Sequence, residues 1–254
     1  MRNLLFVIAL LLSAGMWAQG NKTIKAGEKF VYVASYNMSG MMTQLAQVRM
    51  ETSTVKTSKN MLLHLSCEAT TFSKWDSYFK IRDLYESYVN PTTLKPSLYK
   101  RDILEGKYTR KEKYIFRNGG KSIVSTSKKN NQPQTKRTFN ISGSSQDVVT
   151  ALYKLRTIDF SGFKVGQVQL LTVVFDEKEM NVAAKYMGKE TVNAGNLGKR
   201  ECYKISIAAQ TQALKGTDKN IIWLTADSKK VPALIKFSIP VGTGQMTLTN
   251  ASGI

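Results

Sequence analysis

One histidine, two cysteines and five prolines are all that 254 residues hold of three residue types on which many metal sites and small folds depend. A lone histidine excludes a multi-histidine metal centre. Two cysteines exclude a disulfide-dense mini-domain and a cysteine-rich zinc module. Hydrophobic residues at 42 %, with only five prolines beside 17 glycines, exclude disorder and a collagen-like repeat. After Leu12 no apolar run approaches the roughly eighteen residues of a membrane-spanning helix. The chain has no G-x-S-x-G elbow, P-loop, C-x-x-C or H-E-x-x-H. Acidic residues are scarce too: 18 Asp and Glu face 37 Lys and Arg, for a net charge of +19.

The N-terminus carries a targeting pattern. Arg2 precedes the apolar run Leu4 to Leu12, small residues follow (Ser13, Ala14, Gly15), and a cleavage point falls after Ala18. This is the layout of a secretory signal peptide over residues 1–18, leaving residues 19–254 as a single exported β-rich domain with a net charge of +18. Export points away from nucleic acid as a partner. It points toward anionic lipid headgroups, envelope glycolipid or another envelope protein. No cofactor is called for, and no transmembrane segment remains once the leader is gone.

Period-two alternation dominates the rest. It predicts strands over 29–37, 61–72, 76–90, 107–117, 122–127, 167–175, 182–187, 200–208, 221–226, 233–239 and 245–250, with turn residues between them. Short connections make the sheet antiparallel. One stretch differs: Ser144 and Ser145 precede Gln146-Asp147, and Val148, Val149, Leu152 and Leu155 recur at helical spacing, predicting a helix over 145–156. Roughly ten strands and one helix exceed a small sandwich. The expected fold is mainly β, a strongly curved antiparallel sheet or open barrel with the helix packed on it. The polar, Lys-rich segment 118–137 reads as a long mobile hairpin loop.

Cys67 falls on an apolar strand face with Leu63, Leu65 and Ala69, and Cys202 among Arg200, Lys204 and Ser206. Such different surroundings point to two separate thiols. His64 and Cys67 lie on opposite faces of one strand and so form no dyad. Asp176, Glu177 and Glu179, in a tight turn with Lys178, read as a solvated hairpin tip. The segment 100–137 packs twelve Lys or Arg against Asp102, Glu105 and Glu112, with Tyr99, Tyr108, Tyr114 and Phe116 interleaved. That is the composition of a contact surface for anionic groups, and equally of a solvated edge hairpin guarded by lysines. Arg82 and Asp83 interrupt an apolar strand, and Arg156 ends the helix. They read as cavity-lining anchors or as intramolecular ion pairs.

The order of several elements resembles a known family. They are Gly27-Glu28-Lys29-Phe30-Val31-Tyr32, then Ile81-Arg82-Asp83-Leu84-Tyr85-Glu86-Ser87-Tyr88-Val89-Asn90-Pro91 with Pro96 and Tyr99-Lys100-Arg101. Asp147 to Arg156, Gly188-Lys189-Glu190-Thr191-Val192 and Ile222-Trp223-Leu224-Thr225-Ala226-Asp227 running to Pro232 complete the series. It resembles the bacterial domain-of-unknown-function family 3108 over nearly the whole exported chain. The resemblance implies export in Gram-negative bacteria, hence the periplasm with a possible association to the outer membrane, and no established activity. The last third is also similar to half-barrel periplasmic lipoprotein carriers, which wrap a curved sheet around lipid.

Three functions follow as expectations. The first is a non-enzymatic periplasmic protein binding an amphipathic or anionic envelope component on its curved sheet. Tyr85 and Trp223 would be its apolar lining, and Arg82, Arg101 and Arg156 its headgroup contacts. The second is an envelope interaction module docking through the basic hairpin. The third, an exported carbohydrate-active enzyme, would need Asp83, Glu190 and Asp227 to meet in a cleft.

Overall fold

The computed structural model describes residues 20–38, 40–58, 60–209, 220–239 and 242–254; the expected leader, residues 1–18, lies outside them. Eight strands come first: β1 (Lys29–Met38), β2 (Met41–Lys56), β3 (Met61–Thr71), β4 (Arg82–Val89), β5 (Pro96–Glu105), β6 (Tyr108–Arg117), β7 (Ser122–Lys129) and β8 (Thr135–Asn140). A helix, α1 (Val148–Leu155), follows. Then come β9 (Val168–Phe175), β10 (Lys178–Asn193), β11 (Lys199–Ala209), β12 (Ile221–Thr225), β13 (Pro232–Ile239) and β14 (Gly242–Ser252). All belong to one 14-stranded sheet in the order β8-β7-β6-β5-β4-β3-β2-β1-β14-β13-β12-β11-β10-β9. Neighbours are antiparallel throughout, and β1 pairs with β14, so the first and last strands meet in the middle of the sheet. This is the mainly β, single-sheet, one-helix architecture that the alternation predicts.

The register writes the inner face in rows. Phe30, Met50, Cys67, Tyr85, Arg101 and Glu112 are successive cross-strand partners from β1 to β6. A second row, Thr52, Leu65, Ser87, Tyr99, Tyr114 and Ser125, runs beside it. Phe30, Tyr32, Met50, Leu65, Tyr99, Tyr114 and Ile123 are buried in one large core with Val149 and Tyr153 of α1. Leu155 and Phe160 lead a second core beneath β10, β11 and β12.

The helix is shorter than predicted because Asp147, rather than a serine, is its N-cap. The carboxylate accepts the Thr150 amide at 2.8 Å, and accepts the Ser87 and Thr150 hydroxyls at 2.7 and 2.8 Å. Just before the cap, Gln146 donates its amide to Thr172 O and accepts from the Val174 amide, so this segment covers the free edge of β9. The opposite edge, β8, is exposed and carries Lys136 and Arg137.

Three strands escape the sequence pattern: β2, β5 and β8. The expected strand over 76–90 opens instead as a turn over 76–78, which continues a 3₁₀ turn at Ser73–Trp75, and the strand itself begins at Arg82. The segment 118–137 is not a long loop. Buried Ile123 and Ser125 hold β7 to β6, and only a short connection leads to β8. Both cysteines are free, as expected, but Cys202 is fully buried rather than set among solvated charges.

Candidate functional site

The interior of the rolled sheet is closed by ion pairs, and these absorb most of the arginines the sequence singles out. Arg156, the residue after α1, is 0 % exposed. Its Nη1 and Nη2 donate to Glu28 Oε2 and Oε1 at 2.8 and 3.1 Å, Nη2 also to Lys229 O at 3.0 Å, and Nε to Lys230 O at 3.2 Å. The guanidinium carbon lies 5.0 and 5.5 Å from the Phe30 and Tyr153 ring centroids. The helix end, the start of β1 and the β12–β13 turn are thereby fastened at one point, leaving no face of Arg156 for a headgroup.

Arg101 is spent in a similar way. On the inner face of β5 it sits 2.8 Å from Glu112 Oε2, donates to Asp176 and lies 4.6 Å from the Phe175 ring centroid. Arg110 reaches the same two acids, at 2.6 Å to Glu112 Oε1 and 3.0 Å to Asp176 Oδ1. Next to it, Glu177 accepts from Ser125 Oγ at 2.6 Å and from Arg137 Nη1 at 3.0 Å, while its amide donates to the Tyr114 hydroxyl at 2.9 Å. The acidic β9–β10 turn, expected in solvent, is therefore latched beneath β5, β6 and β7. Buried arginines on that face were waiting for carboxylates, and the turn supplies them. Glu179 closes the seam by accepting from the Ser142 amide and hydroxyl at 2.7 and 2.9 Å.

The remaining named residues lie apart from one another. Arg82 brackets the 3₁₀ turn through Asp76, at 2.5 and 3.0 Å, and through Thr71 Oγ1 at 2.9 Å. Tyr85 packs on the large core. Trp223 is 3 % exposed and lies between Ile222 and Leu224, whose side chains pack with Leu155 and Phe160. Alternation turns Trp223 to the other side of β12. There Nε1 donates to Glu190 Oε2 at 3.2 Å, and Lys204 and Lys236 flank its ring at 5.5 and 5.4 Å.

The three carboxylates weighed for catalysis serve three different places. Glu190 pairs with Lys204 at 2.9 Å. Asp227 folds its own turn, accepting from Thr225 Oγ1 and the Lys229 and Lys230 amides. Asp83 accepts the Leu104 amide at 3.1 Å and is pushed up to about 7, first by burial and then by the Glu105 carboxylate bonded to it. Among the described residues, no group of three or more His, Cys, Asp or Glu is placed to hold a metal ion. None of their helices is long and apolar enough to cross a membrane.

A cleft of about 630 Å³ opens at the mouth of the sheet where β4 turns into β5 and β12 into β13. Lys22, Lys154 and Lys230 line it together with Thr23, Thr92 and Thr157. Lys154 sits in the last turn of α1, half-buried; burial first, and then the nearby Lys95 ammonium, hold its pKa below the usual lysine value. Among the described residues neither Lys22 nor Lys154 forms an ion pair. Two carboxylates also line the cleft, and each folds its own turn: Asp159 accepts from the Ser161 amide and hydroxyl at 3.0 and 2.7 Å, and Asp227 from Thr225 Oγ1 and the Lys229 and Lys230 amides. The cleft thus presents three ammonium groups and several hydroxyls against two carboxylates already bonded within their turns, an arrangement suited to an anion. Lys154 was missed in the sequence because it stands in an apolar stretch beside Arg156, and the more conspicuous charge of the two proved to be the buried one.

Residues 31–249 match the family described as "Protein of unknown function (DUF3108)", so the chain belongs to that family. None of the curated proteins matches it. Among solved structures it is similar to a "beta-barrel-like protein of domain of unknown function DUF1849" from Brucella abortus, with a TM-score of 0.55 and 8 % identity. That likeness covers 89 % of this chain and 96 % of the other, and it bears on the fold alone.

Proposed function

For this member of the DUF3108 family we propose a non-enzymatic role in the bacterial envelope: exported to the periplasm, it binds an anionic, amphipathic component such as a phospholipid. The observation that carries this is Lys154, a half-buried cation whose charged neighbour is another lysine, at the entrance of the 630 Å³ cleft. An unpaired buried cation is costly, and an incoming phosphate relieves that cost. The binding surface differs from the one the sequence suggests. Arg82, Arg101 and Arg156 are committed within the protein, so the headgroup contact passes to Lys154, Lys22 and Lys230, with the threonines as hydroxyl donors. Leu94 and Tyr203 give the cleft its apolar walls.

The test is calorimetric titration of residues 19–254 with monomeric dihexanoyl phosphatidylglycerol, against dihexanoyl phosphatidylcholine as the zwitterionic control of zero net charge. Selective binding of the glycerol lipid, weakened about tenfold or more by Lys22→Gln with Lys154→Gln, is expected. Equal affinity in the double variant, or no binding of either lipid, refutes the assignment. A second reading, docking of an envelope protein on the basic hairpin, draws on the exposure of β8 and of Lys128 and Lys129 beside it. Deleting residues 130–134 would abolish capture of such a partner and leave lipid titration unchanged.

A further inference from the structure

The opposite mouth of the sheet carries a different kind of surface. The β1–β2 connection, the 72–81 segment and the β5–β6 turn all lie at the end remote from the cleft, because their strands run the other way from the β4–β5 and β12–β13 turns. Large apolar side chains stand out of this rim: Met41 is 73 % exposed, Tyr78 80 % and Phe79 53 %. Trp75, Tyr78 and Phe79 form one neighbourhood. Trp75 lies 5.9 Å from Tyr78 centroid to centroid, and its Nε1 donates to Gln44 O at 2.8 Å, which ties it to the start of β2. Phe79 packs over the β5–β6 turn so closely that a Cβ on Gly106 would stand 3.1 Å from its ring. The Gly106 amide donates to Lys80 O at 2.8 Å.

Lysines surround this apolar group. Lys74 Nζ lies 5.7 Å from the Trp75 centroid, and Lys80 and Lys107, next in sequence to Phe79 and Gly106, are exposed. The carboxylate closest in sequence, Asp76, is occupied by Arg82 and Thr71. The rim is therefore apolar at its centre and positively charged at its border.

We propose that this rim is a docking surface for an anionic lipid bilayer. Tyr78, Phe79 and Met41 would enter the interfacial layer, and Lys74, Lys80 and Lys107 would meet the headgroup phosphates. Indole and phenol rings favour the interfacial layer because it accepts their apolar bodies and hydrates their polar ends. Lysine adds attraction within a Debye length of an anionic surface. Scattered surface apolar residues need no explanation, but a Trp, a Tyr, a Phe and a Met gathered on one rim of a highly charged protein do. The proposal is independent of the cleft: it uses other residues at the other end of the sheet, and a bilayer surface rather than a single lipid.

The test uses residues 19–254 with vesicles of phosphatidylglycerol and phosphatidylcholine in equal parts, and with phosphatidylcholine alone. Trp75 and Trp223 are then the only tryptophans, and Trp223 is buried, so tryptophan emission reports on the rim. Expected are co-sedimentation with the mixed vesicles and a blue shift of emission, both reduced at high salt. The partition coefficient should fall about tenfold or more in Tyr78→Ser with Phe79→Ser, and likewise in Lys74→Glu with Lys80→Glu. Trp75→Phe should abolish the shift while the protein still sediments. Lys74, Tyr78, Phe79 and Lys80 are exposed and Trp75 is half-buried, and unchanged circular dichroism will show the fold intact. Absence of sedimentation with mixed vesicles overturns the proposal. So does undiminished binding by both rim variants, and so does binding lost through Lys154→Gln but kept in them, which would assign the lipid contact to the cleft.

Discussion

The Arg156–Glu28 pair is the sharpest place to test how this fold is held. Neither side chain has access to water, and the guanidinium makes four hydrogen bonds to Glu28 and to the carbonyls of Lys229 and Lys230. Arg156→Met keeps the volume but leaves a carboxylate sealed inside without a counter-charge. Removing one partner of a buried pair costs about 3–5 kcal/mol. For a domain of this size each kcal/mol lowers Tm by about 2–4 °C, so a fall of roughly 6–20 °C is expected. The paired change Glu28→Leu with Arg156→Met removes both charges and should recover most of the loss. Thermal and urea unfolding of the four proteins in a double-mutant cycle measures the coupling. A loss below about 1 kcal/mol in Arg156→Met, or a double variant as weak as the single, would refute the reasoning.

Three other outcomes follow from the interior. Asp83 keeps its proton to about pH 7 in the fold but releases it near 3.8 when unfolded, so its contribution is full at low pH and lost as pH rises between those values. Asp83→Asn should accordingly flatten that part of the stability profile relative to the parent, read by urea midpoints from pH 4 to 8; an unchanged slope would count against the shared proton. The Tyr99 hydroxyl is buried and, among the described residues, without a hydrogen-bond partner. Tyr99→Phe should thus change stability by no more than about 0.5 kcal/mol or raise it, and a loss above about 1.5 kcal/mol would reveal a hidden partner. Burial first pushes both thiols up to about 12, with Asp83 adding to the effect at Cys67 and Asp227 at Cys202. Native protein should resist a thiol reagent at pH 8 and react at two sites in denaturant; rapid native labelling would contradict the packing.

The sequence displays its strands where a face is uniformly apolar, and conceals them where it is not. Phe30 and Tyr32 against Val31 and Val33 announce β1. In β2 the inward positions are Ala46, Val48, Met50 and Thr52, a weak alternation interrupted by Arg49 and Glu51. In β5 the core-facing residues are Tyr99, Arg101 and Ile103, and the arginine breaks the pattern it belongs to. The site was less legible for a related reason. Arg82, Arg101 and Arg156 stand out as charges among apolar neighbours, yet their partners come from elsewhere: Asp176 follows Arg101 by 75 positions, and Glu28 precedes Arg156 by 128. No local spacing records such a pairing. The aromatic rim was hidden because the segment 76–81, which carries Tyr78 and Phe79, mimics a continuation of the strand that follows.

The pairing of β1 with β14 sets the order in which this protein can be completed. Strands β1 to β8 zip up as successive hairpins of low contact order, yet they leave β1 as a bare template along one side until the final residues of the chain are made. The second meander has the same open flank on β14. Joining them is the longest-range step in the molecule, with ladder partners such as Tyr32 and Leu248 more than two hundred positions apart. A chain truncated near its C-terminus would therefore lose more than an edge. It would expose the centre of the sheet, the place where a second copy could pair in its stead. Conversely, a circular permutant joined through Lys29 and Ser252 and opened between β8 and α1 would run as one uninterrupted meander after its helix, with every strand paired to its neighbour in sequence.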